Sequence, residues 1–258
     1  MPKQGISTWV RLAGALALAL LVLPFASLLF TTPWLQLQLQ QGDLQSIYVS
    51  VGYTLVALVI VLAGGTPLAW WLARSRFRGK IVLDALILLP LLAPPLVMGL
   101  MLALLFGPYA WAGQPLRHIG LELTNSPQAF VLAQVYAAAP YYVLTARSAF
   151  EGVPRELERM AATLGRGPWQ SFWRISVPLS GLGLASGLAL AWVRAMGEFG
   201  VVLIIAYFPQ GIPVRLWVDL QDGGLQAVYP LMWLFFVVAL PLPLAAGLVS
   251  RRHTQAVF

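Results

Sequence analysis

The chain has no cysteine and only two histidines, His118 and His253, far apart in sequence. Without cysteine there can be no disulfide and no thiolate metal ligand, and nothing is learned about the redox compartment. Two distant histidines speak against a histidine-based metal site. Charge is scarce as well. Only 10% of residues are Asp, Glu, Lys or Arg, against 59% hydrophobic, where a globular domain carries about 25% charged residues. That deficit points to an integral membrane protein. The net charge of +7 does not suggest nucleic acid, because the basic residues sit beside apolar spans and are not interleaved with exposed aromatics. A phosphate-cradling GxxxxGK(S/T) is missing too, since Gly79-Lys80 is followed by Ile81. The chain is therefore expected to bind no ATP, metal or other cofactor itself.

Long apolar runs are abundant. Six can be drawn, at about 9–30, 47–72, 81–106, 127–149, 179–206 and 228–250, each long enough to cross hydrocarbon roughly 30 Å thick as a helix. The short alternating segments of a β-barrel are absent. The first run exceeds a usual signal-peptide core and reads as a retained helix. No loop is long enough for a soluble domain, so 1–258 is read as one all-α transmembrane domain.

Basic residues fall on one side of this scheme. Lys3, Arg11, Arg74, Arg76, Arg78, Lys80, Arg147, Arg155, Arg159, Arg166, Arg174, Arg251 and Arg252 make 13 of the 16 Lys and Arg; Arg117 and Arg215 lie opposite, and Arg194 lies inside a span. The positive-inside rule places that side, with both chain ends, in the cytoplasm of a multi-pass inner-membrane protein. The outer loops are then 31–46, 107–126 and 207–227. Tryptophans near the span ends fit interfacial anchoring in lipid.

The segment 151–178 is the polar exception on the basic side. It holds Arg155, Arg159, Arg166 and Arg174 with Glu151, Glu156 and Glu158. Pro154 suits a helix start. Leu157, Met160, Ala161 and Leu164 follow at i, i+3, i+4, i+7 as one apolar stripe. Gly165 can end that helix in the left-handed conformation, Pro168 can start a second, and Pro178 the next span. On pattern alone, a hairpin resting on lipid and a docking element for a soluble partner both remain open.

Here the sequence resembles the permease subunits of ABC importers. Gly165, nine residues and then Ile175-Ser176-Val177-Pro178 look like the EAA loop of that family. Arg159 stands where its usual Glu would be and Val177 replaces Leu, but Glu158 seven before Gly165 is similar to the molybdate and sulfate branch. The stretches 79–99, GKIVLDALILLPLLAPPLVMG, and 194–200, RAMGEFG, resemble oxyanion permeases, and the continuation VVLIIAYFPQGIPVRLW looks more like the molybdate/tungstate type. The resemblance implies a coupling loop at 151–178, with Glu158, Met160, Ala161, Leu164, Gly165, Ile175 and Pro178 serving ATPase coupling. It implies cytoplasmic ATPase subunits that hold ATP and Mg, a periplasmic or lipid-anchored oxyanion-binding protein, and a second permease copy. A sulfate/thiosulfate permease, possible as a heterodimer, is the alternative. An ATP-independent secondary transporter would need buried ion ligands and paired inverted repeats, and no repeat is found. A plain membrane anchor for a soluble enzyme is the remaining rival.

Within the spans, Arg194 and Glu198 are read as the one oppositely charged pair sharing a helix, four residues apart. Charges at that depth cost about 2.5–3.5 kcal/mol on insertion scales and face inward. A gate element and a neutralised structural pair are the two readings, with Arg194 as a substrate ligand a minor third. Pro90, Pro94 and Pro95 are dense enough for a kink lining the pathway, with ordinary bending of a membrane helix as the equal alternative. Gly181, Gly183 and Gly187, with Ser180 and Ser186, mark the fifth span for close contact at a dimer interface or pore.

Overall fold

A computed structural model describes residues 8–255, with side chains described through Leu248. The two chain ends, placed on the basic side from sequence, lie outside the described residues. Those residues contain helices and no strand. The helices are α1 (Thr8–Thr31), α2 (Asp43–Arg74), α3 (Lys80–Leu92), α4 (Pro95–Phe106), α5 (Gly113–His118), α6 (Pro127–Glu151), α7 (Arg155–Thr163), α8 (Pro168–Leu179, with a π-helical turn over Phe172–Ser176), α9 (Gly181–Met196), α10 (Gly200–Ile205), α11 (Ile212–Ala239) and α12 (Pro241–Gln255).

Among the described residues, four stretches are long and apolar enough to cross a membrane unaided, and six result when each of two bent pairs counts as one span. Counted this way the six expected spans are present, and the first bend falls at the kink expected of Pro94 and Pro95. The span drawn at 81–106 is α3 and α4, turned by 110°. Ala93 and Pro94 are extended there, because consecutive prolines remove N–H donors and push the preceding residue out of the helical region. The fifth span is shorter than drawn. Pro178 does not start it; α8 runs on to Leu179, and α9 leaves at 75° after Ser180. Helix α9 ends at Met196, and 197–199 separate it from α10. The outer loop drawn at 207–227 is helical from Ile212 and joins the last span across a kink at Gly224 (φ 68°).

Helix α6 is the hub, packed on α2 along one side and α9 along another. Small residues permit this. Ala129, Ala133, Ala138 and Ala146 of α6 are fully buried. Gly65 of α2 lies under Tyr142, and Gly183 and Gly187 of α9 lie against Ala149 and Thr145. The close contacts expected of the fifth span are thus made, at these two glycines, with α6 of the same chain. Without water to drive burial, such backbone approach supplies dispersion instead. One core cluster joins α2, α6 and α9 around Leu72, Tyr142, Phe150 and Trp192; the other joins α4, α6 and α10 around Met98, Phe130 and Val202. Helix α1 stands apart: only Leu28 of its 24 residues is buried.

Candidate functional site

Two helix breaks meet side by side. Gly200, first residue of α10, packs on Pro95, first residue of α4; a Cβ built at Gly200 would lie 2.6 Å from Pro95 Cβ. One turn on, a Cβ at Gly99 would lie 2.8 Å from Ile204 Cβ. The two short helices α4 and α10 therefore cross at glycines, and the break at 93–94 touches the break at 197–199. Overpacking of this kind costs about 1–3 kcal/mol. Gly200→Ala should accordingly lower the unfolding temperature of the detergent-purified protein, and an unchanged melting curve would contradict the tight crossing.

Pro94, Pro95, Arg194 and Glu198 are thus brought to one region although about a hundred residues separate the two pairs in sequence. Glu198 is 2% exposed and sits in the 197–199 break. Its Oε1 accepts the Val201 N–H at 2.7 Å, which satisfies one of the free donors at the start of α10, and its Oε2 pairs with Arg194 on the preceding turn. The Arg194 side chain is 28% exposed and lines a groove of about 610 Å³ with Tyr141, Ser186, Leu190, Val193 and Pro243. Among the described residues, Arg194 is the only charged one in that lining. The carboxylate is fixed by both the break and the arginine, so moving the break must disturb the ion pair.

The loop 151–178 lies elsewhere, at the basic end. Helix α7 ends as the glycine suggested. Gly165 has φ +77°, Gly165 N–H donates to Ala162 O at 3.0 Å and Arg166 N–H to Ala161 O at 3.0 Å, the paired bonds of a Schellman turn. Glu158 points inward. Arg74, in the last turn of α2, donates to its Oε1 through Nε (2.9 Å) and Nη2 (2.8 Å), and Ser176 Oγ donates to the same oxygen at 2.5 Å. Arg74 also reaches Val153 O, and Arg155 reaches Ala73 O. The stripe points away: Leu157 is exposed, Met160 is 62% and Leu164 81% exposed. Ala161 and Ile175 are partly buried, and Pro178 is exposed on α8. Trp169 stacks on the buried Phe172 within α8, and Trp70 of α2 meets Phe172 edge-on, so a tryptophan near a span end also holds α8 to the bundle.

A profile described as "Binding-protein-dependent transport system inner membrane component" matches residues 65–255, and so takes in both breaks and the loop. The chain belongs to that family. This permease is 46% identical over 180 residues to the probable molybdenum ABC transporter permease of Haloferax volcanii, covering 70% of its own length and 65% of the relative's. It is 33% identical to the molybdenum transport system permease ModB of Mycobacterium tuberculosis, over 82% and 81% of the two chains. It is 32% identical to the molybdate/tungstate transport system permease WtpB of Thermococcus kodakarensis, over 76% and 74%. A chain of the bacterial alginate ABC transporter shares the permease's fold with a TM-score of 0.74 at 17% identity, covering 96% of each chain.

Some site residues escaped sequence reasoning. Beside the Arg194–Glu198 pair there is a second buried cluster of opposite charges, in the stretch of α11 that precedes the Gly224 kink. Arg215 and Asp219 pair there at 2.8 Å, and Asp43 at the start of α2 lies 3.3 Å from the same guanidinium. Asp43 and Asp219 are buried. They were missed because 207–227 was read as a loop; the Arg-x3-Asp spacing with Pro213 near a helix start was the available signal. The buried Gln134 and Thr54 contacts and the partly buried Arg74 contacts carry no sequence signature.

Proposed function

We propose that this chain is the transmembrane subunit of an ATP-driven importer for molybdate or tungstate. The observation that carries the energy-coupling part is the exposed Leu157–Met160–Leu164 stripe on a loop pinned to α2 through Arg74 and Glu158. An apolar helix face held out on a rigid mount fits a groove in a soluble partner, and the chain's own sequence holds no ATP-binding motif. A cytoplasmic ABC ATPase, carrying ATP and Mg, is that partner. In this reading Met160, Leu164 and Leu157 touch the ATPase, Glu158 holds the mount, and Ala161, Gly165, Ile175 and Pro178 shape it. The basic end and both termini face the cytoplasm. The substrate reading rests on the named relatives. A periplasmic or lipid-anchored binding protein delivers the oxyanion, and two copies of this chain form the passage, one loop for each of two ATPases.

The paired breaks are the gate. Closure of the ATPases moves α8 and α9 through the loop, and the motion passes from the Glu198 break to α4 because α10 starts directly on Pro95 at Gly200.

The test is reconstitution of the complex in liposomes with its ATPase and binding protein. ATP hydrolysis and uptake should rise with molybdate- or tungstate-loaded binding protein and not with sulfate. Stimulation by sulfate alone would overturn the substrate, and uptake without ATP would overturn the importer.

A further inference from the structure

Directly before the 197–199 break, three helices are joined by a polar contact inside the apolar core. Gln134 of α6 is 1% exposed. Its Nε2 donates to Thr54 Oγ1 of α2 at 2.7 Å and to Ala195 O of α9 at 3.2 Å. Thr54 passes its own hydrogen to Met196 Sδ at 3.3 Å. The amide orientation follows from these partners, because the Ala195 carbonyl can only accept. The buried Gln134 Oε1 has no donor among the described residues. Burying an amide oxygen without a donor carries a desolvation cost. A leucine or methionine would fill the position without that cost, so packing alone does not account for the residue.

The Ala195 carbonyl is shared. It also accepts the Glu198 N–H at 3.1 Å, the backbone bond that sets the turn carrying the buried carboxylate. A rearrangement of 197–199 that breaks this bond would strand one carbonyl and one N–H in a low-dielectric site. Gln134 can serve both. Its Nε2 keeps the carbonyl satisfied, and its free Oε1 can accept a released N–H.

We propose that Gln134 is a positioning residue of the transport cycle, an amide relay that holds the end of α9 in this conformation and accepts a backbone N–H of the 197–199 break when that break rearranges. The inference rests on the reading that the break moves during transport. It does not depend on the charge of Glu198.

The test uses the full complex in liposomes, with Gln134→Met and Thr54→Val. Both variants should assemble at wild-type yield. Gln134→Met should lower uptake about tenfold and Thr54→Val about threefold, scales of one hydrogen-bonded contact. The ratio of binding-protein-stimulated to basal ATPase activity should fall in parallel. Amide exchange over 193–203 should differ between nucleotide-free and ATP-trapped wild-type complex, and that difference should shrink in Gln134→Met. A merely structural glutamine would change yield or melting temperature and leave the ratio alone. Gln134→Met with full assembly and uptake within about twofold of wild type overturns the relay. If that variant does not assemble, Thr54→Val with wild-type uptake and ratio overturns it. Normal uptake in Glu198→Gln beside a deficit in Gln134→Met would retain the relay and remove the ion-pair gate; the reverse pattern would do the opposite.

Discussion

Replacing Met160 and Leu164 together by Asp should abolish recovery of the ATPase with the permease and reduce ATP-driven uptake at least about a hundredfold, the equivalent of roughly 2.8 kcal/mol. Met160 on α7 and Leu164 just after it have most of their surface uncovered, so the substitutions disturb nothing inside the chain. Two carboxylates in an apolar groove would have to be desolvated without partners, which costs several kcal/mol. The permease alone should therefore purify and melt as wild type while its complex falls apart. Retained ATPase binding would show that the stripe rests on lipid. Glu158→Gln is the useful contrast. It weakens the mount rather than the contact face, because the amide still accepts one bond from Arg74 but loses the charge that holds the guanidinium fork. Its effect should be smaller and should fall on the stimulated ATPase rate more than on assembly.

The second large effect is expected at Glu198. Glu198→Ala leaves Val201 N–H without its acceptor and Arg194 without its counter-charge. Breaking a buried pair from one side costs about 3–5 kcal/mol, so this variant should be poorly assembled. Glu198→Gln separates the gate from the scaffold. The amide oxygen can still accept the Val201 N–H, but the charge facing Arg194 is gone. With assembly near normal, uptake should fall roughly a hundredfold if the pair changes partners during the cycle. Unchanged transport at normal assembly would reduce the pair to a neutralised structural contact. Measuring melting temperature and uptake on the same preparation distinguishes the two.

How far the site was legible depends on the range of the interaction. Gly165 ending a helix is a local matter of one residue's backbone freedom, and the Schellman turn sits where the sequence put it. Pro94-Pro95 likewise breaks its helix for a reason confined to two pyrrolidine rings, though the size of the turn, 110°, is set by what α4 packs against. Arg194 and Glu198 share a helix by spacing alone. That Gly200 would rest on Pro95 could not be read, because the contact links positions more than a hundred residues apart and neither residue type names its partner. The same holds for Glu158. Its spacing from Gly165 marks it, but only the end of α2 supplies Arg74, and that pairing turns the carboxylate inward. Arg215 and Asp219 were lost to a misjudged loop, since polar residues interrupt the apolar run on which span assignment depends.

By itself the sequence determined the class of solvent: an apolar, charge-poor chain must be helical in lipid, and hydropathy is a property of composition along the chain. It also determined the local breaks at Pro94-Pro95 and Gly165, which are steric. Only the tertiary structure decided that the two breaks touch, that Glu158 anchors rather than projects, and that Gln134 bridges three helices with an oxygen to spare. Those depend on which helix faces meet, and among near-uniform Leu, Ala, Val and Gly surfaces many pairings look alike until close packing at particular glycines selects one.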